Sequence, residues 1–319
     1  MTKYLALALK LVLSGGLIWY IFRRIDFASA WGTLVAIPAT AACAALAILL
    51  VQMVLGVLRV QELLRQLGRE TRFAPMVDVA WIGAFFSQTL ISFVGGDAMR
   101  VWRMVRFRIP VSIATQAVLL DRIAGFGGVV AVLLATIPFL VPRLQSIEME
   151  VGLLLIGAAV LGALATVFVL RRLPERLTRH RAIAAVVGFT SRGLYIARSG
   201  RGAAHVIGLS VLIQLANVLV LYLLAQGLGI DVGFGPFLVF MPTVLFLSML
   251  PISVAGWGVR EGAMVGALAV VGVPAHQSLA LSICFGLALV LVSLPGGLIW
   301  FVSRHRPGDI EAGAGAANR

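Results

Sequence analysis

An all-α polytopic membrane protein is the fold class this sequence predicts, on three observations. Of its 319 residues, 61% are hydrophobic and 12% charged, with a mean hydropathy of +1.03, whereas soluble domains are roughly half apolar and a quarter charged. The apolar residues gather into eight hydrophobic segments, most of them near the ~20 residues that cross about 30 Å of hydrocarbon. The net charge of +13 comes almost entirely from arginine set between those segments, where anionic lipid headgroups are the nearest partner. A lipid surface, not nucleic acid, is therefore the expected partner.

The elements follow in order. Leu5–Phe22 is a first span. Lys3, Lys10 and the later Ala28-Ser29-Ala30 resemble a secretory signal, but Arg23, Arg24 and Asp26 intervene, which suits an uncleaved anchor. Ala36–Leu58 is a second span, followed by a charged loop over 59–78. Val79–Val94 is apolar and short, ending in Gly95-Gly96-Asp97. Over Ala98–Arg108 the residues Arg100, Arg103 and Arg106 recur every third position, with Val101, Trp102 and Val105 opposite. That pattern predicts an amphipathic helix lying in the interface, and Pro110 ends it.

Ser112–Leu140 is a span carrying Asp121-Arg122, and Val151–Leu170 is another. The segment 171–202 holds eight arginines and one acid, Glu175, and reads as a basic cytoplasmic surface segment. Ala203–Gln226 spans, with Gln214 and Asn217 at helical spacing as interhelical hydrogen-bonding groups. The stretch 235–273 is a membrane helix interrupted by Pro242, Pro251 and the glycines around Ser253-Val-Ala-Gly256, with Arg260-Glu261 beside the break. The final span is 276–302. Trp19, Tyr20, Trp31 and Trp300 are expected as interface anchors.

Lysine and arginine near span ends set orientation. The loops 59–78, 98–110, 171–202 and 304–306 are basic and belong in the cytoplasm, as do both termini; loops 141–150 and 227–234 belong outside. Segments 79–97 and 235–273 then have both flanks on one face, so about six full crossings and two broken or re-entrant elements are expected. The alternative is eight full crossings. The chain is expected to form a single transmembrane domain over 1–305 with a disordered tail at 306–319. Its halves, 1–140 and 151–302, are expected to relate as an inverted repeat. Ser92-Phe-Val-Gly95 matches Ser253-Val-Ala-Gly256, each followed by an arginine, a helix and X-Pro (Ile109-Pro110, Val273-Pro274). Paired broken helices in inverted halves mark transporter sites near the midplane.

The candidate site residues come from charges at membrane depth, which cost several kcal/mol each and are functional candidates for that reason. Asp97 and Arg100 lie three apart on one helix face, either as a headgroup site with the Gly95 and Gly96 amides or as a helix cap with a snorkelling arginine. Asp121 with Arg122, and Arg260 with Glu261, are sequence neighbours about 100° apart on a helix. They are therefore expected to pair crosswise, Asp121 with Arg260 and Arg122 with Glu261, either as a site or as structural bridges. Gly258-x3-Gly262-x3-Gly266 is a small-residue stripe for helix packing. Cys43 and Cys284 form no disulfide framework, the histidines form no metal spacing, and no nucleotide-binding motif occurs, so no cofactor is expected.

Two motifs carry a resemblance. Gly95-Gly96-Asp97-Ala98-x-Arg100, with Arg106, Pro110 and Val118-Leu-Leu-Asp121-Arg122-x2-Gly125, is one; Leu250-Pro-Ile-Ser253-x2-Gly256-x-Gly258-Val-Arg260-Glu261-Gly262-Ala is the other. Over about residues 1–305 the chain resembles the flippase-like lysylphosphatidylglycerol synthase transmembrane-region family, departing from it at Phe93, where a proline is expected. The resemblance implies a lipid translocase in the cytoplasmic membrane of a prokaryote. It would move a polar or anionic lipid between leaflets, such as a phospholipid, glycolipid, hopanoid or polyprenyl-phosphate-linked lipid, without the soluble aminoacyltransferase domain. Arg100, Arg122 and Arg260 would hold the headgroup. Asp97, Asp121 and Glu261 would orient them, with Ser92, Gly95, Ser253 and Gly256 at the two turns. The alternative is a membrane-embedded enzyme, or an accessory subunit that partners a lipid biosynthesis enzyme.

Overall fold

A computed structural model describes Gly32 and residues 37–89, 93–140, 200–249 and 258–304. The expected first span, the span at 151–170, most of the basic segment 171–202, the tail, and Ser92, Ser253 and Gly256 lie outside the described residues. The described residues form eight helices and no strand: α1 Ala39–Gln66, α2 Phe73–Thr89, α3 Phe93–Arg106, α4 Val111–Leu140, α5 Arg201–Gly227, α6 Phe234–Met249, α7 Val259–Ala269 and α8 Ala275–Arg304. Four of them, α1, α4, α5 and α8, are long and apolar enough to cross a membrane. The protein is a multi-pass membrane protein.

Its surface chemistry agrees. Leu50, Val51 and Val54 on α1, Leu212, Leu215 and Leu219 on α5, and Leu291, Leu294 and Leu298 on α8 are exposed. Arg59, Asp121, Gln214, Asn217, Arg260 and Glu261 are buried. Lipid is as apolar as leucine, so nothing drives leucine inward, and helices meet instead through small and polar residues. Asn217 fulfils the expectation of an interhelical bond, accepting from Gln52 Nε2 across α1 and α5 at 3.0 Å. Gly296 of α8 sits so close to α2 that a Cβ there would fall 2.0 Å from the Trp81 carbonyl oxygen. Trp81 Nε1 donates to Val292 O on the same seam at 3.0 Å. In contrast, Gly266 in the predicted packing stripe has nothing within 4 Å, so that stripe does not admit a close neighbour there.

Over their described residues the remaining four helices are shorter: at 1.5 Å per residue, α2 and α6 reach about 25 Å, and α3 and α7 about 20 Å or less. Residues 69–72, Pro75 and Met76 at the start of α2 and residues 107–109 at the end of α3 line one pocket. Pro242 lies inside α6 without ending it, contrary to the expectation that it interrupts the helix.

The same four-helix pattern occurs twice. Exchanging α1 with α5, α2 with α6, α3 with α7 and α4 with α8 converts every substantial helix contact among the described residues into another that is present. Thus α2–α8 becomes α6–α4, α4–α5 becomes α8–α1, and α1–α5 maps onto itself. Helix ends repeat too. Both α1 and α5 close with a left-handed glycine, Gly68 and Gly229, and with bonds from Arg69 N to Leu64 O and Ile230 N to Ala225 O, both 2.9 Å. This is the Schellman arrangement, which satisfies the carbonyls a helix end leaves open. The end of α3 does the same before Pro110 (Ile109 N to Met104 O, 3.2 Å), and the end of α7 before Pro274 (Val273 N to Leu268 O, 3.1 Å). The left-handed position after α7 is Gly272; after α3 it is Arg108, at φ 61°.

Two sequence expectations change here. The charged loop expected over 59–78 is mostly helix: α1 continues to Gln66 and α2 starts at Phe73. A buried arginine near a span end reads as the end of the span when its partner is invisible. The amphipathic helix expected to lie on the surface, now α3, instead turns its arginines inward. Arg103 is buried and bonds Asp78 at 2.9 Å, and Arg100 is largely buried, while Trp102 and Val105 are exposed. Acids on α2 and α4 outcompete water for these guanidiniums.

Candidate headgroup cavity

The site grows from the close approach of α2 and α3. A Cβ on Gly83 would lie 2.3 Å from Arg100 Cγ, and one on Gly96 would lie 1.9 Å from Ser87 Oγ and 2.7 Å from Gly83 O. Only glycine lets α2 and α3 approach this closely, and the contact lays the Arg100 stem across α2. Gly96 therefore serves packing, and Gly95 stands beside it in the first turn of α3. Asp97 is the fifth residue of α3, which rules out the helix-cap reading of that carboxylate.

From this base runs a chain of alternating charges over three helices. Arg59 on α1 donates from Nε to Asp121 Oδ1 on α4 at 2.7 Å, and from Nη1 to Ser210 Oγ on α5 at 3.2 Å. Arg100 on α3 donates from Nη1 to the other Asp121 oxygen at 2.9 Å and lies 3.8 Å from Asp97 Oδ1. Arg122 on α4 grips Asp97 with two parallel bonds, Nε to Oδ2 and Nη2 to Oδ1, both 2.9 Å. Two-pronged guanidinium–carboxylate contacts are short and orientationally fixed. Among the described residues, three guanidiniums share these two carboxylates, a positive excess inside a membrane domain.

A cavity of about 280 Å³ adjoins the cluster, lined by residues of α1, α2, α3, α4, α5 and α8 and open on one side. Arg59, Asp97, Arg100, Asp121 and Arg122 all line it, as do Gln52, Ser87, Gln88 and Ser293. Two buried polar atoms of this lining have no hydrogen-bond partner, Arg100 Nε and Gln52 Oε1. A buried donor left unsatisfied costs about 1–3 kcal/mol, more when charged. The cavity thus sets a charged cluster into a mostly apolar wall. Among the described residues no group of histidine, cysteine, aspartate and glutamate could hold a metal ion.

The other candidate pair lies elsewhere. Arg260 and Glu261 do not line the cavity, and they do not pair crosswise with Asp121 and Arg122. They bond each other, Arg260 Nη2 to Glu261 Oε1 at 2.7 Å, and Ser282 of α8 joins both, accepting from Arg260 Nε at 3.2 Å and donating to Glu261 Oε1 at 3.1 Å. The Glu261 Oε2 accepts the Gly258 N–H at the start of α7. The expectation failed because it treated side chains as fixed spokes. Glutamate at the third helical position folds back over its own N-terminus in a capping box, and the long arginine stem wraps to meet it. Within this trio the one guanidinium and the one carboxylate balance in charge.

Arg59 is the residue that sequence reasoning missed, together with Gln52. A signal existed: Gln52, Gly56 and Arg59 fall four and three apart, one stripe of a helix, but the drop in hydropathy at Arg59 reads as a loop.

A family profile described as the lysylphosphatidylglycerol synthase TM region matches residues 7–296. No curated protein matches the chain.

Proposed function

Because the chain belongs to the lysylphosphatidylglycerol synthase TM region family, a membrane family of lipid metabolism or transport, we propose that it is a lipid translocase that carries a polar, anionic headgroup through the cavity between α1, α2, α3 and α4. The observation that carries this reading is the positive excess of Arg59, Arg100 and Arg122 over Asp97 and Asp121 around a chamber built from membrane helices. An intramembrane arginine is expensive, and carboxylates that hold it in place without fully neutralising it leave it ready for a phosphate. Arg122 and Asp97 form the part of the cluster that meets the headgroup: their side chains are 30% and 24% exposed, against 10% and 8% for Arg59 and Asp121. The inner pair orients Arg100; the outer pair exchanges partners with the lipid.

The doubled helix pattern supports a mechanism in which the two halves alternate. In this reading the two halves are inverted repeats, α2–α3 and α6–α7 are re-entrant hairpins, and 1–305 is a single domain. Acyl chains stay in lipid while the headgroup crosses. The protein resides in a prokaryotic cytoplasmic membrane with both termini in the cytoplasm.

Reconstitution tests this reading. Purified protein in liposomes should make headgroup-labelled anionic lipid of the inner leaflet accessible to an external quencher, and Arg122→Gln should slow that exchange at least tenfold while remaining folded. Equal rates for native and variant protein would sink the proposal. A second reading, a membrane-embedded partner of a lipid-modifying enzyme, draws on the family's description as part of a synthase. It requires activity in detergent, where no leaflets exist.

A further inference from the structure

We propose a second anion site, apart from the cavity, where the α1–α2 loop meets the α3–α4 turn: a pocket of about 270 Å³ that binds a phosphate group. Arg69 and Arg72 reach it from the first loop and Arg108 from the second, against one acid, Glu70. Three guanidiniums around one carboxylate leave a local positive excess, and the guanidinium fork matches phosphate oxygens. Thr71 adds a hydroxyl to the lining; its Oγ1 is fully buried yet has no hydrogen-bond partner.

The site is held ready. Gln61 Nε2 donates to the Thr71 carbonyl at 2.9 Å, tying the loop to α1, and the Gly68 turn fixes where the loop leaves the helix. Met76 and Ile109 form a buried apolar floor. Arg108 holds a left-handed backbone, φ 61°, at the position that glycine fills after α1, α5 and α7. A non-glycine residue there costs about 1 kcal/mol or more, and that cost is borne at the one such turn whose side chain borders this pocket. Phe73 follows Arg72 and Val111 follows Pro110 in sequence, and both are exposed, so apolar side chains able to lie against acyl chains stand near these arginines in the chain. None of these residues belongs to the translocation cluster.

The test uses the whole chain. Spin-labelled phosphatidylglycerol would be added to protein in phosphatidylcholine nanodiscs, and the immobilised fraction read by electron spin resonance; inorganic phosphate would be titrated separately against protein in neutral detergent. Removing both Arg72 and Arg108 by Arg72→Gln with Arg108→Gln should weaken binding roughly tenfold or more, Thr71→Val should weaken it by a smaller factor, and Arg122→Gln should leave this site's share of binding intact. Loss in the lipid arm alone identifies a headgroup site, and loss in the phosphate arm identifies a soluble anion site; either supports the proposal. Unchanged binding in both arms, with the variant melting like the native protein, overturns it.

Discussion

Asp121 is the residue on which the cavity cluster turns, and Asp121→Asn is the change that probes it most sharply. Its two oxygens are shared between Arg59 at 2.7 Å and Arg100 at 2.9 Å, and all three side chains are at most 14% exposed. At an effective dielectric constant of about 20, unit charges this close attract by about 6 kcal/mol, and desolvation cancels much of that gain. Removing the shared acid leaves two buried guanidiniums facing each other with no charge between them, so the loss should be about 3–5 kcal/mol. Arg59→Gln should cost less, about 1–3 kcal/mol, because Asp121 keeps Arg100. The double variant should cost less than the sum of the two, with a coupling of about 1–3 kcal/mol. Reversible denaturant titration in mixed micelles, followed by tryptophan fluorescence, measures all four proteins. If Asp121→Asn stays within about 1 kcal/mol of the native protein and the two changes add, the cluster is not assembled as described.

Further outcomes follow from neighbouring contacts. Gly83→Ala places a methyl against the Arg100 stem; it should cost about 1–3 kcal/mol and, in the folded fraction, reduce lipid exchange by moving Arg100, as the liposome assay would show. Glu261→Gln breaks the cluster with Arg260 and Ser282; a loss of about 3–5 kcal/mol is expected, with headgroup binding by folded protein unchanged in the spin-label measurement. Arg108→Gly relieves the left-handed strain and should raise stability by about 1 kcal/mol while weakening phosphate binding, a combination that a purely structural residue would not produce.

The location of most charges that matter was legible before any coordinates. Asp97, Arg100, Asp121 and Arg122 stand out because an ionisable group in an apolar run is costly wherever the chain takes it, and those four do meet around one cavity. Arg260 and Glu261 stand out for the same reason but form their own pair. Cost marks a residue as partnered; it does not name the partner. Arg59 shows the converse failure. Its hydrogen bond to Asp121 spans 62 residues, a distance at which no local pattern can say that a charge at the edge of an apolar run points inward.

The sequence by itself determined the membrane class, the four long spans and the X-Pro ends shared by the two halves, because hydropathy, proline and glycine act within a turn or two of where they stand. Only the tertiary structure decided which way α3 faces, which acid each arginine meets, and that five of the membrane-depth charges line one cavity while Arg260 bonds its neighbour Glu261. Those outcomes depend on how closely helices approach, at Gly83, Gly96 and Gly296, and on long flexible side chains choosing among partners in a medium where leaving a charge alone costs more than bending to reach one.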